Sequence, residues 1–218
     1  NKLNINDLDE CKRLEAVEEL KRGIDEAYEF GVKEFQFLSR QCPEDKISQG
    51  IEQRVKSTKE LCAYGSSKAM KIALEIFDHN IDKCSLLGPA NRVKAFLSQV
   101  ENIENFGIMV DCSHIPMIGE SLDVHMNTIK GKIIHAHMGN TYIKDKNNPA
   151  YGDLHPWFGY SGSENDRTYL SEYLQYLLDF GYLKEGGENY LSFEIRPVAN
   201  EDREIVIANG KRTLEEAC

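Results

Sequence analysis

At 218 residues, with 41% apolar and 28% charged side chains, the chain has the composition of a globular protein long enough to bury one core. Its net charge of −10 speaks against an electrostatic grip on nucleic acid or an anionic membrane surface, and no apolar run approaches the roughly 18 residues of a transmembrane helix. The charged, helix-like opening NKLNINDLDECKRLEAVEEL does not read as a signal peptide, and Cys11, Cys42, Cys62, Cys84, Cys112 and Cys218 form no CxxC pair; a reduced, cytoplasmic setting without a disulfide framework or zinc ribbon follows.

Asn6 or Asp7 is placed to cap a helix running to about Phe30, where Gly31 ends it; Leu14, Val17, Leu20, Ile24 and Ala27 recur at helical spacing. VKEFQFLS (32–39) reads as a strand, and a polar helix follows from about Pro43 to Tyr64. IALEIF (72–77) is the next strand, and Pro89 opens a helix carrying Val93, Phe96, Leu97 and Val100. GIMVD (107–111) is a strand, and roughly 117–130 a helix. KIIHAHM (132–138) is a strand leading into a loop, 139–162, rich in Asn, Gly and Pro. Ser163 is expected to cap a helix that Gly181 ends. YLSFEIRP (190–197) is the last strand and 201–217 the last helix.

Strands alternating with helices imply a parallel sheet in an α/β fold. The five strands compare with eight in a complete (β/α)8 barrel of about 250 residues. The pattern therefore predicts a single domain over 1–218, a TIM barrel without its first three β/α units, preceded in the native chain by a further N-terminal portion. An open, doubly wound sheet is the competing architecture.

The choice turns on four side chains. Glu75 in IALEIF, Asp111 in GIMVDCSH, His137 in IIHAHMGN and Glu194 in YLSFEIRP each sit at the C-terminal end of an apolar, strand-like run. Charged groups are rarely buried unless paired or metal-bound, and the C-terminal strand ends of a barrel converge on the active site. Three carboxylates and one imidazole suit one divalent cation, with Mn²⁺ first and Mg²⁺ or Co²⁺ as alternatives. Taken singly, each is equally explained as a salt-bridged or solvated strand-end residue; the recurrence at successive strand ends favours a site. Alternation puts His135 and His137 on one face, and only His137 is at the strand end, so His135 is expected to pack behind it. His114 follows Asp111 in a DxxH spacing and is a candidate substrate contact. The loop GDLHPWFGYSGSEND carries His155 and the only Trp, Trp157, which are candidates to cover a bound sugar ring; a loop folded over its own aromatics is the simpler explanation. Lys83, Asn140 and Arg196 are weaker polar candidates.

In order, LEIFD, VDCSH, HAH and FEIRP resemble the xylose-isomerase-like barrel superfamily of sugar isomerases and epimerases, and the opening helix resembles the one leading into that family's fourth strand. The resemblance implies that Glu75, Asp111, His137 and Glu194 ligate one metal, usually Mn²⁺, with Glu75 and Glu194 as the two acid–base groups and His114, His155 and Trp157 near the substrate. The implied chemistry is removal of the proton α to a sugar carbonyl, with the metal stabilising the enediolate. Two departures stand out. The stretch MGNTYIKD after His137 lacks the Arg that many sugar epimerases carry there, and the interval to Glu194 is long. Its segment NNPAYGDLHPWFGYSGSEND is similar to a loop in the metal-dependent subunit of bacterial C-glycoside deglycosidases, which cleave 3-oxo-C-glycosides. The implied partner is a small-molecule sugar or glycoside, alongside a homo-oligomer or a partner subunit. Two other classes compete: an apurinic-site nuclease of the endonuclease IV type, with three zinc ions, which the acidic balance disfavours, and a non-catalytic, partner-binding barrel fragment.

Overall fold

The computed structural model describes residues 3–218, which divide into two compact units with the boundary after Met109. Among the described residues, no helix is long and apolar enough to cross a membrane.

In the first unit, α1 (Glu10–Glu29) starts two or three residues later than the cap signal at Asn6 or Asp7 suggested. Asp9 is the cap, accepting from the backbone N–H groups of Cys11 and Lys12. Asn6 is diverted to Arg40, bonding both its carbonyl and its N–H. Gly31 ends the helix at φ +76°, a conformation that favours glycine. Strands β1 (Glu34–Leu38) and β2 (Lys71–Glu75) pair in parallel, as do β2 and β3 (Phe106–Asp111), so that Leu38, Glu75 and Met109 lie level across the three. Between β1 and β2 runs α2 (Ile47–Ser66), and Pro89 introduces α3 (Ala90–Leu97) as its fixed φ predicts. Helix α2 lies so close to β2 that a Cβ on Gly65 would fall 2.9 Å from Ile72 Cδ1.

Beyond Glu75 the chain turns around Asp78. Its fully buried carboxylate accepts from five successive backbone N–H groups, those of Asn80, Ile81, Asp82, Lys83 and Cys84, at 2.6–3.4 Å. This one side chain satisfies donors that a loop must otherwise expose to water.

In the second unit, β4 (Ile133–Gly139) pairs in parallel with β5 (Tyr190–Glu194), with His137 opposite Ser192 and Gly139 opposite Glu194. The end of β3 joins them through the Cys112 N–H, which donates to the His137 carbonyl at 3.4 Å. The helix expected over 117–130 is two helices, α4 (His114–Ile118) and α5 (Leu122–Ile129). Gly119 stops the first in the left-handed region at φ +81°, and Ser121 caps the second by accepting from the Val124 N–H. Helix α6 (Arg167–Asp179) starts at Asp166, which accepts from the Tyr169 N–H, rather than at Ser163. The reason is Asn165, whose side chain is pulled to the carbonyls of Cys112 and Gly139 and keeps 163–165 out of helix. Strand β5 stops at Glu194 because the Arg196 N–H leaves the ladder for the His155 carbonyl. Helix α7 (Arg203–Ala217), capped by Asp202, packs on β5 through Gly210.

Asp78→Ala is expected to strand several buried N–H groups and to lower stability by about 3 kcal/mol or more, whereas Asp78→Asn, which keeps one oxygen, recovers part of the loss. Urea unfolding of the three proteins checks this; equal midpoints would show that the turn does not depend on the carboxylate.

Candidate metal centre

The second unit concentrates ionisable side chains at its strand ends. Asp111, the last residue of β3, is buried to 1% exposure. Its Oδ1 accepts from the Ser113 N–H at 2.7 Å, while Oδ2 has no hydrogen-bond partner. That Oδ2 lies 3.9 Å from His137 Nδ1 and 3.9 Å from His155 Nδ1. His137 Nδ1 meets Glu194 Oε2 at 2.5 Å. The other nitrogen of His137 touches His135 Nε2 at 3.1 Å, and the His135 ring stacks on Tyr190. The hydrogen bond from His137, helped by the charges of His155 and His137, holds the Glu194 carboxyl down to about 2 against the opposing effect of burial. Glu194 is therefore ionised throughout the neutral range.

Asp153 was not singled out in the sequence, although it forms a DxH pair with His155 that echoes the DxxH of Asp111 and His114. Its Oδ1 bonds His114 Nε2 at 3.0 Å and His155 Nε2 at 2.8 Å. Burial pushes the Asp153 carboxyl up, but the two imidazole hydrogen bonds outweigh it and hold the group well below the usual carboxylate range. His155 is disfavoured as a cation by burial and favoured by Asp153, Asp111 and Glu194, and the acids prevail, raising its pKa.

His155 is held in a left-handed backbone conformation, φ +45°, which costs about 1–3 kcal/mol for a residue with a side chain unless its surroundings enforce it. Three clamps do so. The Arg196 N–H donates to the His155 carbonyl at 2.9 Å and Arg196 Nε to the Leu154 carbonyl at 2.8 Å. Asn165 ties the loop to the ends of β3 and β4 as described above. Asn140 receives the N–H groups of Thr141 and Asn165 on Oδ1 and donates to the Trp157 carbonyl and Ser163 Oγ. Gly139 leaves room for this arrangement: a Cβ there would stand 2.9 Å from both Asp111 Oδ1 and His155 Nδ1.

Asp111, His114, His137, His155 and Glu194 are thus brought together. Trp157 points its indole N–H at Glu201, 3.0 Å away, and its ring lines a cavity of about 350 Å³ with Ile205, Val206, Asn209 and Arg212. Glu75 ends β2 in the first unit, half-buried. Buried, unpartnered oxygen and nitrogen atoms facing one another at 3.9 Å, among carboxylate and imidazole donors, fit a divalent metal ion: about 2.0–2.2 Å separates such an ion from each donor.

Gly139→Ala is expected to push Asp111 and His155 apart, weakening Mn²⁺ or Zn²⁺ binding at least tenfold and costing about 1–3 kcal/mol of stability. Calorimetric titration beside thermal unfolding separates the two effects; unchanged metal affinity would show that the cradle at Gly139 is not part of an ion site.

A family model described as xylose isomerase-like TIM barrel matches residues 1–212. A search of curated proteins gives no match. Among solved structures, a D-tagatose 3-epimerase-like protein superposes with TM-score 0.72 at 21% identity, covering 100% of this chain and 73% of its own. The IolI protein with a bound zinc atom superposes at 0.76 and 20%, covering 98% and 73%. The 3-keto-D-glucoside 4-epimerase YcjR from E. coli gives 0.69 and 14%, covering 98% and 74%. At these identities the likeness shows the fold. With the family model spanning nearly the whole sequence, the chain belongs to the xylose isomerase-like TIM barrel family, and its α/β fold, with five parallel strands, is that of a partial TIM barrel.

Proposed function

We propose that the chain is a divalent-metal-dependent enzyme of the sugar isomerase or epimerase type, which moves a proton on the carbon next to a sugar carbonyl. The observation that carries this reading is the buried, unpartnered Asp111 Oδ2 set beside His137 and the ionised Glu194 at the ends of β3, β4 and β5. The names of similar structures support it, since they include sugar 3-epimerases. Asp111, His137 and Glu194, with Glu75 as the fourth ligand, would hold one ion, Mn²⁺ first and Mg²⁺ or Co²⁺ as alternatives. Such an ion supplies Lewis-acid polarisation of the substrate oxygens.

The protein's own groups do the rest. Glu194 is deprotonated at neutral pH, the state a base needs, and its carboxylate takes the proton from the carbon α to the carbonyl. Glu75 is the second carboxyl group, delivering or removing a proton on the opposite face. His114 and His155, fixed through Asp153, are placed to bind sugar hydroxyls. The loop folds its own backbone onto the strand ends and keeps bulk water from the buried Asp111.

A second reading, cleavage of 3-oxo-C-glycosides by the same proton abstraction, is favoured by the apolar cavity beside Trp157, whose ring offers a face to an aromatic aglycone. By its name, the 3-keto-D-glucoside 4-epimerase acts on an oxidised glucoside, which brings the two readings close. In this case a partner subunit is expected.

With Mn²⁺ supplied, free ketoses should incorporate solvent deuterium if the protein is an isomerase or epimerase; 3-oxo-C-glycosides should instead release aglycone if it is a deglycosidase. Glu75→Gln and Glu194→Gln should each lower proton exchange by about 10²-fold or more. Metal-loaded variants exchanging at the unmodified rate would remove these glutamates from the acid–base role, and a metal-loaded protein inert to both substrate classes would overturn the carbonyl-adjacent mechanism.

A further inference from the structure

We propose that the cavity between the loop after β4 and the connection from β5 to α7 is an anion subsite, in which Arg196 and Arg203 hold a carboxylate or phosphate group carried by the substrate. The inference rests on the sugar reading above and adds the substrate class: a sugar acid or a sugar phosphate rather than a neutral sugar.

The first support is the cavity itself. Its volume of about 440 Å³ falls in the range of about 300–1,000 Å³ that takes small molecules. Pro149 and Leu154 of the loop and residues 197–199 of the connection line it, together with Arg196, Glu201 and Arg203. The second support is charge. In a chain of net charge −10, this lining holds two guanidinium groups and one carboxylate. The carboxylate is already used: Glu201 Oε1 accepts from Trp157 Nε1 at 3.0 Å and Oε2 from the Val198 N–H at 2.8 Å. Both donors are uncharged, and among the described residues neither Arg196 nor Arg203 forms an ion pair. Two guanidinium groups without an acid of their own, lining one cavity, set a positive potential that an anionic group neutralises.

The third support is orientation. Arg196 Nε donates to the Leu154 carbonyl at 2.8 Å, and the Arg196 backbone N–H to the His155 carbonyl at 2.9 Å. With Nε held, the terminal nitrogens keep a fixed direction, and a planar guanidinium fork matches two oxygens of a carboxylate or phosphate. The connection is constrained as well. Ala199 takes φ +53°, a left-handed conformation uncommon for a residue with a Cβ, and Glu201 fastens Val198 beside it. The subsite belongs to the arginines rather than to the start of α7, where Asp202 already accepts from the Glu204 N–H. Position links it to the chemistry. Arg196 follows Glu194 by two residues, so their Cα atoms stand at most about 7 Å apart. A sugar held at Arg196 by its anionic group lies within reach of the carboxylate that serves as base.

The test is a comparison of charged and neutral probes. The full chain, loaded with Mn²⁺, is titrated calorimetrically with D-glucuronate, D-glucose 6-phosphate and D-glucose. At least one charged probe is expected to bind about tenfold or more tightly than glucose. Tighter glucuronate identifies a sugar acid, and tighter glucose 6-phosphate a sugar phosphate. Arg203→Met, which touches no proposed metal ligand or acid–base group, should weaken the charged probe about tenfold and leave glucose unchanged. Arg196→Lys keeps the charge but loses the fork, and should weaken it too; circular dichroism checks that both variants fold. Glucose bound as tightly as both charged probes, or no binding of either charged probe, overturns the proposal. So does a folded Arg203→Met protein with its preference for charge intact, because the anion would then be held elsewhere. A charged probe that binds through the arginines without exchanging solvent deuterium counts against the sugar chemistry and leaves the anion subsite standing. Neutral ketoses that exchange, beside charged probes that show no preference, count against the subsite alone.

Discussion

A carboxylate buried to 1% with one oxygen left without a hydrogen bond is the constraint around which the second unit is arranged. Removing an ionised carboxylate from water is expensive unless charge or hydrogen bonds replace the lost solvation. Here Ser113 supplies one hydrogen bond and two imidazoles approach the bare oxygen without reaching hydrogen-bond distance. Each imidazole is in turn tied to another acid, His137 to Glu194 and His155 to Asp153. The polar groups form a continuous chain in which His114, His137 and His155 each have a carboxylate behind them, and the open point of that chain is the Asp111 oxygen.

The loop after β4 makes this arrangement persist. It contributes Asp153 and His155, which would scatter if the segment were held only by its two ends. Instead two asparagines and one arginine fasten it at intermediate points, Arg196 and Asn140 through carbonyls of the loop itself and Asn165 through carbonyls at the strand ends. Asn165 alone reaches the carbonyls of Cys112, just past β3, and of Gly139, the last residue of β4. The cost of holding His155 at positive φ is met locally by the hydrogen bond from the Arg196 backbone.

The sequence made the strands legible because each is a short apolar run followed by a polar residue, and hydrophobic periodicity is a strong signal. The strand end at Asp111 falls where that pattern placed it, whereas β2 stops at Glu75 and β5 at Glu194, short of the expected ends at 77 and 197. Helix starts were less legible. Asn6 and Ser163 have the chemistry of caps, but long-range hydrogen bonds claim Asn6 for Arg40 and the neighbour of Ser163 for the strand ends, so Asp9 and Asp166 cap instead. The break at Gly119 was readable only as a glycine within a helical pattern. Of the site, the residues on strands were visible, whereas Asp153 was hidden in a polar loop where any acid is unremarkable; only its spacing from His155 marks it. The direction of the Trp157 ring could not be read either, because it depends on Glu201, 44 residues away.

Within the loop, residues 142–152 form a closed excursion. The Gly152 N–H donates to the Tyr142 carbonyl, Thr141 Oγ1 to the Gly152 carbonyl, and the Glu164 N–H to the Thr141 carbonyl. The two feet of the excursion are bound to each other before the chain reaches Asp153. Lengthening it then costs chiefly closure entropy, about 0.6 kcal/mol for each doubling of a flexible loop. Family members can therefore gain or lose residues between 143 and 150 as an evolutionary variable, reshaping the outer rim while the acid and the two imidazoles beneath it keep their register.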